Sequence, residues 1–224
     1  PGGQILRSTM RNHYKKILFP VTLYHTNIRE NSVIEREVLA SIQKCYEEKE
    51  LPIPDGWLTD KLTTSYDEDD LNHKIFKSEK IHKTYVKYLA SVFDKEITFS
   101  LEDMWFNYYI DGEYQEEHHH INSTPFSTPV HFSCIHYLKF DPEEHTSTVF
   151  VDPMEKIRLH SFEIDSNHYS STWRPKINQG DLIVFPSYLS HHVPKSKPTP
   201  DNPRITIAFN LRVLTYGDEG KDQL

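Results

Sequence analysis

The chain is poor in the residues that staple or loosen small proteins: two cysteines and seven glycines in 224 residues. Cys45 and Cys134 fall in a predicted helix and a predicted strand, where a free thiol behaves as a small buried hydrophobe, so a disulfide framework is excluded. No apolar run approaches the roughly 20 residues that span a bilayer. No basic, apolar and small-residue order of a signal peptide occurs either, so the expectation is a cytoplasmic protein without a membrane partner. Positive charge is also short, with 25 Lys and Arg against 33 Asp and Glu, a net charge of −8. That balance supplies no general electrostatic reason to bind nucleic acid. The expected partner is then a small molecule or a protein side chain, with homo-oligomerisation left open. Hydrophobic residues at 37% and charged residues at 26% place the chain among folded globular proteins rather than disordered ones.

The opening PGGQILRST, before Met10, reads as an expression scar, leaving residues 10–224 as one expected domain. Within it, 10–99 reads as a helical part and 100–213 as a β part. Ile34, Val38, Ile42 and Cys45 recur at helical spacing over 32–49, and Ser32 with Glu35 forms a candidate capping box. A second helix is predicted over 78–94, with Ile81, Tyr85, Leu89, Val92 and Phe93 on its apolar side. Between them LTDKLTTSYDEDDLN has no periodicity and reads as a loop. After residue 100 short β-rich runs take over: MWFNYYI, VHFSCIHYLKF, STVFV, DLIVF and RITIAFNLRV, separated by turns. Helices followed by many short strands predict a mainly β fold with N-terminal helices packed outside a sandwich or jelly roll.

EEHHHINS, residues 116–123, carries the most specific chemistry. In an extended chain alternate side chains share a face, so His118 and His120 point together while His119 points away. Two imidazoles chelate one ion, and a catalytic metal needs a further ligand from elsewhere in the fold. The best candidate is His191, in GDLIVFPSYLSHHVPKS, with His192 replacing it if the register is shifted. Arg204 follows about a dozen residues later.

The order H-x-H, a strand ending in FPSYLSH, then RITIAFN resembles the iron(II)- and 2-oxoglutarate-dependent oxygenases, in particular a prolyl hydroxylase-like branch of bacteria and tailed phages. The matching positions are Trp105 and Asn107, His118 and His120 before Asn122-Ser123, Tyr137, Asp152-Pro153, Phe185 to His191, and Arg204 to Asn210. The resemblance covers residues 100–213 and implies a double-stranded β-helix, the jelly roll shared with cupins. It implies Fe(II) held by His118, His120 and His191, and a salt bridge from Arg204 to the distal carboxylate of 2-oxoglutarate. Thr206 would add its hydroxyl to that carboxylate, with Asn107, Tyr137 and Asn210 as further cosubstrate contacts. The implied activity is a dioxygenase, most simply a hydroxylase, consuming O2 and converting 2-oxoglutarate to succinate. One departure from the superfamily is His120, where most members carry a carboxylate. Glu116 or Glu117 could supply the missing carboxylate, and Glu116, which shares the face of His118, is the better candidate.

Other readings compete. The histidine pair could be a solvated strand edge and Arg204 a surface arginine; His131, His136, His145, His160 and His168 lack a partner pattern. A cupin-like metal- or ligand-binding module without turnover needs no buried arginine facing the metal, and a zinc hydrolase would use the same three histidines with a water. The pocket is shaped by loops at 121–129, 152–172 and 194–203, whose residues name no substrate chemistry.

Overall fold

The period-2 segments after residue 100 pair as antiparallel strands, and a computed structural model of the chain describes residues 21–48, 51–59, 61–93, 97–121, 129–155 and 170–216. In chain order the elements are β1 (Tyr24–Asn27), α1 (Asn31–Glu48), β2 (Thr63–Thr64), α2 (Asp69–Phe76), α3 (Glu79–Val92), β3 (Ile97–Tyr109), β4 (Gln115–His118), β5 (Phe132–Lys139), β6 (Val149–Val151), β7 (Thr172–Trp173), β8 (Asp181–Pro186), β9 (His191–Val193) and β10 (Arg204–Tyr216). A six-stranded sheet runs β1-β8-β5-β10-β3-β2 and a four-stranded sheet runs β4-β9-β6-β7. Non-consecutive neighbours in both sheets, with one cavity lined from both, make this a double-stranded β-helix.

Helices cover the outer face of the larger sheet. Ile34, Val38 and Ile42 of α1 and Ile81, Tyr85 and Leu89 of α3 form one core with Phe106 and Tyr108 of β3 and Ile205, Ile207, Phe209 and Leu211 of β10. The opposite face of the sheet contributes Ile135, Tyr137, Ile183 and Phe185 to a second cluster with Phe150 and Leu189. Strict alternation on β10 therefore separates helix-facing apolar residues from cavity-facing Arg204, Thr206 and Ala208.

The predicted boundaries shift in three places. α1 starts at Asn31 with Glu30 carbonyl accepting from Val33 at 2.8 Å, so Ser32 and Glu35 lie inside the helix and form no capping box. Glu35 instead pairs with Lys139 at 3.3 Å. The segment read as a loop contains β2 and the start of α2. α2 is eight residues long, too short to show a period, and is held by burial of Ile75 and Phe76 with Asp69 and Asp70 at its dipole-favoured first turn. α3 spans 79–92 with Ser78 at the N-cap position, close to expectation. The first nine residues lie outside the described part. No helix among the described residues is long and apolar enough to cross a membrane.

Candidate metal and cosubstrate site

β4 and β9 are paired with His118 opposite His191. That register brings their rings to 4.2 Å between centroids. The chain leaves β4 after His118, and the amide of His120 donates to the Ser187 carbonyl at 2.8 Å, which turns its ring to within 5.3 Å of both partners. One ligand nitrogen from each of the three lies within 4.8 Å of the others.

The remaining ring nitrogens explain how the three are aimed. His118 Nδ1 faces the Glu116 carbonyl at 2.8 Å, His191 Nδ1 faces the Leu189 carbonyl at 3.0 Å, and His120 Nδ1 faces Asn210 Oδ1 at 3.1 Å. Each acceptor is an oxygen, so each Nδ1 carries the hydrogen and each Nε2 keeps its lone pair, the tautomer a metal ligand needs. His120 Nε2 is buried without a hydrogen-bond partner among the described residues. Burial, reinforced by the neighbouring imidazole of His118, pushes His120 down to about 3. Burial likewise lowers His118, and it drives His191 well below the usual histidine range, so all three rings are neutral at pH 7. His119 is exposed and points away, and His192 is outside the cluster.

No carboxylate joins the three histidines among the described residues. Glu116 does not complete the triad: its carboxylate accepts from the amides of Leu58 at 2.9 Å and Thr59 at 3.3 Å. On the strand its side chain is drawn to these backbone amides of a segment remote in sequence, an interaction spacing cannot reveal.

The same cavity is lined by Asn107, Thr148, Arg204 and Thr206. Arg204 is 1% exposed. Its guanidinium lies 4.4 Å from the Tyr109 ring and 5.4 Å from the Tyr137 ring. Nη2 reaches Thr148 Oγ1 at only 3.5 Å, while Nε and Nη1 have no hydrogen-bond partner among the described residues. A buried guanidinium without a counter-ion is costly unless an anion completes it. Thr206 is 2% exposed on the same face.

The other sequence-predicted residues are placed less directly. Asn107 lines the cavity, but its Oδ1 already accepts from Thr64 Oγ1 at 2.7 Å. The Tyr137 hydroxyl donates to Thr148 Oγ1 at 2.9 Å and accepts from the Thr148 amide, so the tyrosine acts on Arg204 through its ring. Asn210 is not among the cavity-lining residues; its Oδ1 also accepts from Ser133 at 3.0 Å, which locks it as the acceptor for His120. Tyr109 and Thr148 were missed. The alternation Trp105, Asn107, Tyr109 along β3 would have indicated the first; nothing in STVFV marks the second.

The family model described as "Putative 2OG-Fe(II) oxygenase" matches residues 103–210, the segment that holds all three histidines and Arg204. Over this segment the chain is similar to the 2OG-Fe(II) oxygenase family, a class of oxidoreductases that use iron and 2-oxoglutarate. Among solved structures it is similar to SnoN, the non-heme α-ketoglutarate-dependent epimerase of nogalamycin biosynthesis, at 15% identity and TM-score 0.57 over 90% of this chain and 83% of that one. It is also similar to HygX from Streptomyces hygroscopicus with nickel and 2-oxoglutarate bound, at 12% identity and TM-score 0.53 over 85% and 82%. A truncated viral collagen prolyl hydroxylase from Paramecium Bursaria Chlorella virus-1 matches at 15% identity and TM-score 0.51 over 92% and 99%. At these identities the likeness is one of fold. No curated protein matches the chain.

Proposed function

We propose that the protein is an iron(II)- and 2-oxoglutarate-dependent dioxygenase that hydroxylates a substrate C–H bond. His118, His120 and His191 hold the iron through Nε2. Arg204 takes the distal carboxylate of 2-oxoglutarate, supported by the Thr206 hydroxyl. When bound, iron and 2-oxoglutarate supply dioxygen activation coupled to decarboxylation. This chain's own contribution is to hold three neutral imidazoles in fixed tautomers, to pair the distal carboxylate with Arg204, and to keep the cavity walled by Trp105, Phe185 and Val193.

Arg204 carries this reading. A metal-binding module or a zinc hydrolase has no use for a buried guanidinium with two unpartnered nitrogens in the cavity of the histidines. A dicarboxylate held beside the three histidines would supply its distal carboxylate as the missing partner. With no carboxylate in the metal set, the cosubstrate dianion also balances the charge of the divalent ion.

The test is an anaerobic titration with iron(II) and then 2-oxoglutarate, following the weak visible charge-transfer band of the chelated cosubstrate. Wild-type protein is expected to form the band. Arg204→Ala should bind iron but not form the band at 2-oxoglutarate concentrations that saturate the wild type, and His120→Ala should lose iron. No band in the wild type, with tight zinc and hydrolysis in the absence of O2, would replace this reading by the hydrolase.

A further inference from the structure

Beside the histidine cavity lies a groove of about 860 Å³, with Tyr66, Asp67 and Asn72 on one wall and Glu102, Asp103 and Trp105 on the other. Trp105 also lines the cavity, stacked on His120 at 5.7 Å, so the two spaces share a wall. Three features of the groove have no use within the described fold.

The first is an open strand edge. β2 covers β3 only opposite Asn107 and Tyr108, and Ser65 extends the pairing to Phe106 through its amide and hydroxyl. From Trp105 back to Ile97 no strand among the described residues pairs with the outer edge of β3. Such an edge is a template for an added extended chain. The second is charge. Glu102 is held by Arg212 at 2.9 Å, but Asp67, Asp69 and Asp103 have no ion-pair partner among the described residues. Lys77 is the lone formal cation on the described wall, with His73 and His82 beside it. Asp67 and Asp103 hold positive φ of 63° and 35°, and Asp103 is the extra residue of a β-bulge opposite Phe209 and Asn210. Strained non-glycine positions at a groove are kept where they aim a side chain. The third is an orphan donor: Trp105 is 4% exposed and its indole nitrogen has no acceptor among the described residues.

We propose that this groove is the substrate-docking surface for an extended, basic polypeptide segment, added along the outer edge of β3 with lysine or arginine side chains against Asp67 and Asp103. The proposal rests on the oxygenase reading of the adjoining site. A peptide supplies both complements at once, cations for the aspartates and carbonyl oxygens for the Trp105 indole and the edge amides. A free amine would supply only the first and would leave most of the groove unfilled. Burial together with repulsion from Asp69 and Asp55 raises the Asp67 carboxyl, the strain that an incoming cation relieves.

The experiment is fluorescence anisotropy of a labelled octapeptide of alternating lysine and alanine, with its glutamate counterpart as control. The protein is loaded with nickel(II) and 2-oxoglutarate so that no turnover occurs. The lysine peptide is expected to bind, the glutamate peptide not to bind, and Asp67→Asn/Asp103→Asn to weaken binding about tenfold, asparagine being tolerated at positive φ. If that pair does not fold, Asp69→Lys, at an ordinary helical position, should weaken it at least as much. Absence of binding, equal binding of both peptides, or binding unmoved by the variants would overturn the proposal. Displacement by an equal concentration of free lysine would overturn the peptide in favour of a small cation. Binding of 2-oxoglutarate to the wild type is followed in parallel: its absence sinks the oxygenase reading, whereas its presence without peptide binding sinks the groove alone.

Discussion

Arg204 and Asn210 sit on one strand face and act in different ways. Arg204 is buried with two guanidinium nitrogens unpartnered among the described residues, so under the proposed function its replacement would remove a contact with an anion that enters the cavity. Asn210 touches His120, and its effect passes through that ring. Replacing the acceptor of a metal-bound imidazole lowers metal affinity by roughly 10–100-fold. Asn210→Ala is therefore expected to weaken iron binding by about that factor, while Asn210→Asp, which keeps the acceptor oxygen at 3.1 Å from His120 Nδ1, should restore it. Equal metal affinity in all three proteins, measured by competition with a chelator, would make Asn210 a packing residue only.

At the scale of elements β10 organises the molecule, pairing with β3 on one side and β5 on the other. Its apolar face is clamped by the helices and its polar face builds the site, so damage to helix packing should reach the metal. Phe209 is fully buried against Tyr85, with rings 4.6 Å apart. Phe209→Ala should cost about 3–5 kcal/mol of stability in chemical denaturation. A loss below about 1 kcal/mol would mean that the helix layer is not packed as described. The turn into β8 depends on Gly180 at φ 86°, where an added Cβ would meet the Ile28 carbonyl oxygen at 3.2 Å and the Asn27 side chain at 3.3 Å. Gly180→Ala should destabilise by about 1–3 kcal/mol, since both conformation and space oppose it. An unchanged denaturation midpoint would contradict this.

The whole molecule should respond to pH through two buried groups with opposite signs. Burial raises Glu113 from 4.5 to about 7. Its proton is then retained in the folded state where the unfolded chain has released it, so stability falls as pH rises from about 4.5 to about 7. Burial lowers His136 from 6.5 to about 3, so the unfolded chain takes up the proton first and stability falls as pH drops from 6.5 to about 3. Glu113→Gln keeps an oxygen for the Ile110 amide, 2.8 Å away in the native protein, and removes the proton linkage. Above pH 7 it should be more stable than the wild type by on the order of 1–2 kcal/mol and equal to it near pH 4. A constant difference across that range, read by urea denaturation, would reject the assignment.

Much of the site was legible because it is written in local periods. The spacing of His118 and His120 and the alternation from Arg204 through Asn210 need only a strand to become a shared face, and the long strands carry that signal. Helices α1 and α3 announce themselves by the apolar recurrence that buries Ile34, Val38, Ile81 and Tyr85. β2 and α2 did not, because short elements have too few residues for a period and are held by partners remote in sequence.

By itself, then, the sequence determined the fold class, the elements long enough to show a period, and which histidines could face one way, all consequences of local stereochemistry and apolar burial. Only the tertiary structure decided which distant residues meet. It chose His191 over His192, because the β4–β9 register places His191 opposite His118. It sent the Glu116 carboxylate to the amides of Leu58 and Thr59, made Asn210 the acceptor for His120, and set Tyr109 and Thr148 beside Arg204. Among the described residues it also left the outer edge of β3 open beside three aspartates without an ion-pair partner. Those outcomes depend on strand order and register, which are fixed by packing between segments far apart in the chain and leave no mark on the spacing of neighbours.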